Sequence, residues 1–387
     1  MTPARHADVI VVGLGAMGSA TAHRLALRGA SVLAFDQYRP PHALGSTHGD
    51  TRITRLAIGE GLDYVPLVRR SHVLWRELEQ QTGVRLLTQC GGLILGRAGD
   101  PFLGQTRAAA REFGITHESL SLEEIVSRYP MFAVDDDVQG YYEPEAGYLR
   151  PEEAIRVQLE LARRHGAQLR LGTRVQRWQA TATGVSVQTD DGTYGAERLV
   201  LCAGPWIGTL LDEPRTFAVY RQLLFWFAIR ERYEQLRQMP AFVWVFGGEP
   251  QDFKHFDGVY GFPAIDGPDG GVKLATERYE HTTLPDGHQH PATRVEVEEM
   301  YERLVGPRLP WIAPTAVRTV SCLYTCTRRS TFVIDRHPEH DAVVIVSACS
   351  GHGFKHSPAI GESVAQLLID GEPEIDLSPF SLARARQ

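Results

Sequence analysis

The chain has 387 residues, with 40 Lys and Arg against 47 Asp and Glu, which gives a formal net charge of −7. Its 43% hydrophobic and 22% charged residues are typical of a globular protein, and the acidic balance gives no electrostatic footprint for nucleic acid. Five cysteines are too few, and odd in number, for a disulfide framework, so we expect reduced thiols in a cytoplasmic chain.

The first forty residues predict a unit that binds a dinucleotide. Three glycines, Gly13, Gly15 and Gly18, have the spacing that allows a tight turn, close approach of a pyrophosphate and close packing of helix on strand. The start of the helix offers free N–H groups to the phosphates, and Asp36 can accept hydrogen bonds from a ribose. The predicted elements are a strand at 9–12, a helix at 19–28 and a strand at 31–35.

Further along the chain, helical and strand-like patterns alternate until an aromatic-rich region begins near residue 217. Before that point we expect a helix at 151–164 and strands at 168–171, 184–188 and 198–202. Strands at 223–229, 242–246 and 259–262 indicate an inserted antiparallel sheet, followed by a helix at 292–305. Strands at 319–325, 331–334 and 342–346 then lead to a helix at 357–369.

The predicted fold class is α/β, with a discontinuous Rossmann-like domain and an antiparallel-sheet substrate domain of α+β type. We assign residues 1–85, 145–215 and 318–387 to the first domain and residues 86–144 and 216–317 to the second. No run of residues approaches the roughly 20 apolar residues that a membrane span requires, so no membrane partner is expected.

Three clusters outside the glycine-rich turn combine glycine with cationic or titratable side chains. In the run 45–55, Arg52 and Arg55 would share a face of a helical turn and could address one anion, although a solvated surface turn would look the same. Lys273 lies in an apolar strand-like run, where it either meets a partner or points to water. In the run 350–355, two glycines frame His352 and suggest either a flat ligand or an ordinary turn.

Cysteine and histidine spacing does not favour a metal site. Cys322 and Cys326 lie four apart, but no second pair has the spacing of a zinc finger, and a buried inert thiol is the default reading. His337 and His340 lie in a Pro-containing segment that we expect to be a surface loop.

These motifs, taken in order, resemble one family, the monomeric sarcosine oxidases and N-methyltryptophan oxidases, with the amadoriases as close relatives. The resemblance runs through nearly the whole chain and includes residues 13–18, 45–55, 260–263, 322–325, 334–338 and 350–355. It implies a flavin, FAD, rather than a nicotinamide cofactor, and a Rossmann-like domain of the glutathione-reductase type.

The resemblance also implies roles for individual residues. Cys322 matches the cysteine that carries the flavin covalently, and Arg55 and Lys355 match the pair that holds the substrate carboxylate. Lys273 matches the lysine credited with oxygen activation, since a fixed cation stabilises developing negative charge. Arg52 and His48 match residues beside the flavin ring, and Tyr260, Tyr324 and His352 match the lining of the substrate cavity. The implied cofactor contacts are Gly13, Gly15, Ala16, Met17, Gly18, Asp36, Ser46, Thr51, Val175, Ala203, Gly204, Trp206, Cys322, Gly351, Gly353, Phe354 and Lys355.

One position departs from the sarcosine oxidase pattern. Those enzymes have a histidine four residues after the oxygen-site lysine, where this chain has Glu277, and amadoriases have a glutamate there. On a strand, an offset of four keeps both side chains on one face, so we expect Glu277 beside Lys273. Glu277 would then receive a polyol or a cationic group, or else pair with Arg278 and do nothing specific.

The expected activity is oxidation of a secondary amino acid, N-methyl, N-alkyl or cyclic, to an imine, with O2 reduced to hydrogen peroxide. The alternatives are a fructosyl amino acid oxidase, an amine dehydrogenase that uses an acceptor other than O2, and a flavin-binding subunit of a larger oxidase. The expected partners are an amino acid and O2, with no metal and no nucleic acid, in a monomer or small homo-oligomer.

Overall fold

A computed structural model describes residues 6–213, 215–247, 257–287 and 290–387 of the chain. Its strands are β1 His6–Val12, β2 Val32–Asp36, β3 Arg52–Thr54, β4 Leu87–Thr88, β5 Gly92–Arg97, β6 Glu118–Leu120, β7 Val138–Glu143, β8 Gly147–Leu149, β9 Gln168–Leu171, β10 Val175–Thr181, β11 Gly184–Thr189, β12 Gly192–Leu201, β13 Ala218–Ile229, β14 Ala241–Gly247, β15 Asp257–Gly261, β16 Val272–Ala275, β17 Ile312–Cys326, β18 Val333–His337 and β19 His340–Ser347.

The helices alternate with these strands in the first half of the chain, and helices are also the last elements of the chain. They are α1 Ala16–Leu27, α2 Val65–Thr82, α3 Pro101–Glu112, α4 Leu122–Arg128, α5 Pro151–Arg164, α6 Ile207–Leu210, α7 Tyr233–Gln238, α8 Arg294–Met300, α9 Ser357–Ile369 and α10 Leu382–Ala385. A π-helical turn, Tyr301–Val305, continues α8, so the helix predicted at 292–305 is regular only in its first half.

The first sheet has a parallel centre, with the order β10-β11-β12-β1-β2-β9, and β19 pairs with both β12 and β18. The core residues of β1 alternate between two apolar clusters, because its sheet is covered on both faces. Helices α1, α5 and α9 pack on one face. The prediction for this region is confirmed in element type and order.

The helix α5 illustrates why these local predictions succeed. Pro151 lies in its first turn, Glu152 and Glu153 complement the positive end of the helix, and Arg163 and Arg164 complement the negative end. These signals are short-range, and the helix has the bounds that the sequence predicts.

The second sheet has the order β17-β13-β16-β15-β14-β5-β7-β6. It is antiparallel as predicted except for one parallel pair, β5 with β14. This pair joins a strand from before residue 100 to a strand from after residue 240. A third sheet of β3, β8 and β4 lies apart from both.

The second sheet changes one proposed domain boundary. Strand β17 pairs with β13 along its length as far as Cys326, so the segment 318–326 is hydrogen-bonded into the second sheet rather than the first. The third sheet also crosses the division, because β3 and β8 lie in segments of the first domain and β4 in a segment of the second. The rest of the two-domain division remains our proposal.

The expected loop that carries His337 and His340 is also different in the structure. The two residues end β18 and begin β19, and their rings stack 5.0 Å apart beside Trp178. The hairpin is tight because His337 pairs with His340, which leaves two residues in the turn, and the register shifts between Arg336 and His337.

Candidate active site

A cavity runs between the two large sheets, with roughly 2580 Å³ of empty space when its open mouth is included. One end is lined by the glycine-rich turn after β1, and the other by side chains from the second sheet and from the loop before α9. Cysteine, cationic and acidic side chains, together with glycine backbone, therefore line one cavity, and they come from both halves of the chain.

The glycine-rich end has the backbone geometry that a pyrophosphate needs. Gly13 has φ +89°, and a Cβ there would lie 2.4 Å from the Cys202 carbonyl oxygen. A Cβ on Gly18 would lie 1.7 Å from the Gly13 carbonyl oxygen, so Gly18 serves packing and does not itself line the cavity. Helix α1 begins without a side-chain cap or an acidic residue in its first turn, which leaves its N–H groups available to an anion.

Asp36 lies at the end of β2 and is held by the backbone. It accepts hydrogen bonds from the N–H groups of Leu14 and Tyr38, both at 2.8 Å. These bonds fix the carboxylate at the rim of the cavity, where it can accept further bonds from hydroxyl groups. Ser46 adds a buried hydroxyl oxygen that lines the cavity and has no partner among the described residues.

Lys273 is buried at 4% exposure and belongs to the cavity wall rather than to the surface. Its ammonium donates to the carbonyl oxygens of Gly49 and Thr51, at 2.6 and 2.8 Å, and to the Thr51 hydroxyl at 3.1 Å. Burial, together with the nearby Arg52, lowers the pKa of Lys273 well below its usual value. The reading of Lys273 as a strand lysine that points to water is therefore wrong.

The loop that accepts these bonds is fixed by Glu152 at the start of α5. Its carboxylate accepts from the N–H groups of Gly49 and Asp50, at 2.6 and 3.2 Å. Arg52 donates to the carbonyl oxygens of Ser46 and Thr51, both at 2.8 Å. The two arginines of this loop do not share a helical turn as the sequence suggests, because residues 52–54 form the strand β3, but both line the cavity.

His48 lies in the same loop but behind the cavity wall. Burial and the neighbouring Arg52 lower the pKa of His48 to about 3, so the ring is neutral. Its Nε2 atom is buried without a hydrogen-bond partner among the described residues.

Arg55 and Lys355 come together at the far end of the cavity, around one carboxylate. Arg55 donates to Glu60 at 2.5 Å, and the Lys355 ammonium lies 3.9 Å from the other oxygen of Glu60. Burial lowers the pKa of Lys355 to about 8, although Glu60 opposes this. Burial by itself would raise the pKa of Glu60, but Arg55 and Lys355 outweigh it and hold that carboxyl ionised.

Arg55 is kept in place by a second buried acid, Glu143, that the sequence analysis did not find. Glu143 accepts from the N–H groups of Leu56 and Ala57, at 2.5 and 3.1 Å, and from the Tyr141 hydroxyl at 2.9 Å. The Ala57 carbonyl in turn accepts from Arg55 at 2.5 Å. This chain of bonds sets where the guanidinium points. Glu143 lies far along the chain, on β7, and no local signal marks it.

Glu277 faces the cavity, but its neighbours differ from those expected. Strand β16 ends at Ala275, so the alternation of side chains between the two faces of a strand does not extend to residue 277. Its carboxylate accepts from the Tyr279 hydroxyl at 2.6 Å, and Glu60 and Lys355 rather than Lys273 are the charges that influence its pKa. Burial raises the pKa of Glu277 to about 7. Arg278 lies 3.7 Å from Glu296, so the expected alternative pairing with Glu277 is absent.

The register of the second sheet explains why Tyr260, Lys273, Cys322 and Tyr324 lie together. Trp226 pairs with Lys273, Tyr260 with Ala275 and Gln222 with Cys322, which places the alternating residues of four strands on one face. Tyr260 and Tyr324 are joined by a side-chain hydrogen bond.

Cys322 is buried among Leu224, Trp226 and Ala275 and does not line the cavity itself. Burial raises the pKa of its thiol, while Arg52 and Lys273 act in the opposite direction. Cys349 and Cys202 do line the cavity, and the five cysteines are all free thiols.

The cavity wall contains every residue of the predicted site except Gly18, His48 and Cys322. Those that line it are Gly13, Gly15, Ala16, Met17, Asp36, Ser46, Thr51, Arg52, Arg55, Val175, Ala203, Gly204, Trp206, Tyr260, Lys273, Glu277, Tyr324, Gly351, His352, Gly353, Phe354 and Lys355. Burial lowers the pKa of His352 to about 3, although Glu60 acts in the opposite direction, so this ring is neutral. Glu60 and Tyr279 also line the cavity and have no recognisable local motif.

Two kinds of feature are absent from the described residues. No group of three His, Cys, Asp or Glu residues there could hold a metal ion, and no helix there is long and apolar enough to cross a membrane.

Comparison with known proteins identifies relatives along nearly the whole chain. The family model for FAD dependent oxidoreductases matches residues 8–367. The chain is 38% identical to monomeric sarcosine oxidase of Streptomyces avermitilis, over 94% of both chains. It is 35% identical to N-methyl-L-tryptophan oxidase of Yersinia pestis, over 98% of this chain and 99% of the relative.

A solved structure supports the same relationship. NikD, an unusual amino acid oxidase essential for nikkomycin biosynthesis, in its open form, has a TM-score of 0.82 and 26% identity, with 97% of both chains covered.

Proposed function

The chain belongs to the FAD dependent oxidoreductase family, and from that premise we propose that it oxidises the C–N bond of a secondary amino acid to an imine. O2 is the electron acceptor and hydrogen peroxide the second product. The observation that carries the proposal is the convergence of two buried cations, Arg55 and Lys355, at one end of a cavity whose other end suits a dinucleotide.

The residues present fit FAD. The free N–H groups at the start of α1 suit the pyrophosphate, Asp36 suits a ribose, and the unpartnered Ser46 hydroxyl adds a further polar contact. Bound FAD would supply the redox chemistry, in which a hydride equivalent leaves the carbon beside the amine and the electrons go on to O2.

Arg55 and Lys355 hold the substrate carboxylate by charge-assisted hydrogen bonds. Before a substrate binds, the carboxylate of Glu60 forms ion pairs with both cations. A substrate carboxylate competes with Glu60 for Arg55 and lies next to Lys355, whose ammonium also donates to the His352 carbonyl oxygen. Two cations are needed because a carboxylate leaves water at a high cost unless its oxygens are paired.

Lys273 supplies a fixed positive charge for the reduction of O2. Three oxygens of the loop at residues 49–51 hold its ammonium, so no reorganisation is needed as negative charge develops on oxygen. The neutral rings of His48 and His352 add no competing charge.

A peroxide-coupled screen of N-methyl amino acids, cyclic imino acids and fructosyl amino acids tests the proposal. Peroxide from the first two classes supports it. Substrate-dependent bleaching of the flavin without peroxide would instead indicate a dehydrogenase, and peroxide from fructosyl amino acids alone would indicate an amadoriase-like enzyme.

We further propose that Cys322 carries the flavin covalently. Attachment replaces the thiol hydrogen and one hydrogen of the flavin 8α methyl with an S–C bond, and O2 takes both hydrogens and electrons as hydrogen peroxide. Burial raises the pKa of the Cys322 thiol, and the neighbouring Arg52 and Lys273 act against this rise, so these two cations are the groups that stabilise a thiolate there. Denaturing mass spectrometry should find the intact chain heavier by one FAD, and Cys322→Ala should abolish this increase. Cys349→Ala is the matched control, because that thiol also lines the cavity.

The remaining proposals concern the whole molecule. From the odd number of free cysteines we propose a cytoplasmic enzyme, and from the fold a monomer or small homo-oligomer with the two-domain division given above. Size-exclusion chromatography with light scattering tests the oligomeric state.

A further inference from the structure

We propose that the substrate of this enzyme carries a cationic group on its side chain, an ammonium or a guanidinium, which binds between Glu277, Tyr279 and Tyr324. This inference rests on the proposed oxidation of a secondary amino acid and specifies its substrate class.

The acid subsite, defined as Glu277, Tyr279 and Tyr324, lies over the loop before α9. A Cβ on Gly351 would lie 3.0 Å from a carboxylate oxygen of Glu277, 3.1 Å from the Tyr279 hydroxyl and 3.1 Å from the Tyr324 ring. The three side chains therefore converge on the stretch of backbone that holds His352 and Lys355. Gly351 has φ +80°, a backbone conformation that favours glycine at this position.

The carboxylate of Glu277 is not fully partnered. Among the described residues, Tyr279 is its hydrogen-bond donor, on one oxygen, and the second oxygen faces the cavity without a donor. The guanidinium of Arg278, the nearest arginine along the chain, lies 3.7 Å from Glu296, and the backbone N–H of Arg278 donates to Gln222. An enclosed carboxylate without a cation is unfavourable, so a ligand that brings one gains binding energy.

The charges at this end of the cavity balance before substrate binds. Between pH 7 and 8, Arg55 and Lys355 carry positive charge, Glu60 is ionised, and Glu277, with a pKa of about 7, is mostly ionised. An amino acid with a neutral amine brings one negative charge, whereas the same amino acid with a cationic side chain brings none. The balanced cavity therefore favours the second kind of substrate.

The rings of the subsite favour a cation over a polyol. The centroids of Tyr279 and Tyr324 lie 6.3 Å apart, and Tyr220 packs edge-on against Tyr279 at 5.4 Å. Aromatic faces beside a carboxylate attract ammonium and guanidinium groups. A polyol carries no charge, so it gains neither this attraction nor an ion pair with Glu277.

The test compares Nα-methyl-L-lysine with Nα-methyl-L-norleucine, which has the same chain without the ammonium. The readout is the ratio of their kcat/KM values in the peroxide assay, so effects common to both substrates cancel. We expect a ratio of about ten or more for the native enzyme and a fall of about tenfold in Glu277→Gln, because a charge-assisted hydrogen bond is lost. Glu280→Gln, at an exposed glutamate three residues away, is the matched control and should keep the native ratio.

The pH dependence of this ratio gives a second readout. The titratable groups that face Glu277 are Tyr260, Tyr279, Tyr324, Glu60 and Lys355. The ratio should rise between pH 6 and 8, because Glu277 ionises in this range while the substrate ammonium stays charged, and Glu277→Gln should flatten the rise.

Several outcomes overturn the proposal: a native ratio near one, a Glu277→Gln ratio equal to the native one, or a preference for a fructosyl amino acid. If no secondary amino acid yields peroxide, the proposed function is wrong. The cationic subsite is then tested by the binding of amino acids to the holoenzyme. In that case L-lysine should raise the Tm of the holoenzyme more than L-norleucine does, and equal shifts would reject the cationic subsite.

Discussion

The two ends of the cavity are built in opposite ways. The centre of the nucleotide end comes from one continuous unit, the β1–α1–β2 segment, and its key features are glycine contacts and free backbone N–H groups. The substrate end is assembled from distant segments, as in the bond from Lys273 to Gly49, which joins residues 224 apart. The first end depends on backbone shape and the second on the balance of buried charges.

This difference predicts different consequences of substitution. A change at the nucleotide end should remove the cofactor and with it the folded enzyme, because a pyrophosphate site cannot form around a displaced turn. A change at the substrate end should leave the flavin in place and alter KM or its pH dependence.

The largest effect is expected for Gly18→Ala. Its Cβ would lie 1.7 Å from the Gly13 carbonyl oxygen, so the turn and α1 must separate. We expect a protein without bound flavin and with a greatly lowered Tm, measured by absorbance and thermal denaturation. Gly104→Ala is the control, since that helical glycine has open space around it and the change should be neutral or stabilising by up to about 1 kcal/mol. A flavin-replete Gly18→Ala enzyme would contradict the comparison.

Arg55→Ala should give the next largest effect, at the other end. The variant loses a charge-assisted hydrogen bond to the substrate carboxylate, which costs about 2 kcal/mol of binding free energy. KM should therefore rise by about 30-fold or more. The flavin content should remain that of the native protein. Arg69→Ala, at an exposed arginine, is the control. A variant that loses flavin and activity together would show that the two ends are not independent.

Glu143→Gln sharpens the comparison, because Glu143 acts on the substrate only through the loop that carries Arg55. Leu56 and Ala57 donate to different oxygens of Glu143, so a glutamine keeps an acceptor for one N–H group and places a donor against the other. We expect KM to rise by about fivefold to tenfold with a smaller change in kcat, since a misplaced bond costs about 1 to 1.5 kcal/mol. The exposed Glu145→Gln is the control. A fall in kcat with KM unchanged would assign Glu143 a different role.

The smallest effect is a dependence on pH. Burial lowers the pKa of Lys355 to about 8, so the ammonium loses its charge as the pH rises through that value. Binding of propionate, a carboxylate without an amine, should therefore weaken by up to about tenfold between pH 7 and 9.5, since one charge-assisted bond is lost. Its inhibition constant measures this, and a constant value over that range would show that Lys355 stays charged.

The sequence by itself determined the nucleotide end and the order of the elements. Gly13, Gly18 and Asp36 act through local geometry, and α5 carries its own start and end signals, so short stretches are sufficient to predict them. The resemblance to a family added Arg55, Lys273, Cys322 and Lys355, but as isolated positions without contacts.

Only the tertiary structure decided the arrangement at the substrate end. Glu60, Glu143 and Tyr279 act through partners brought close by the fold, and Glu277 faces Lys355 rather than Lys273 because β16 ends before it. The parallel pairing of β5 with β14 likewise joins segments that share no local pattern. The physical reason is the same in each case. A backbone turn is specified by its own residues, whereas the charge state and partner of a buried side chain depend on whatever the fold places next to it.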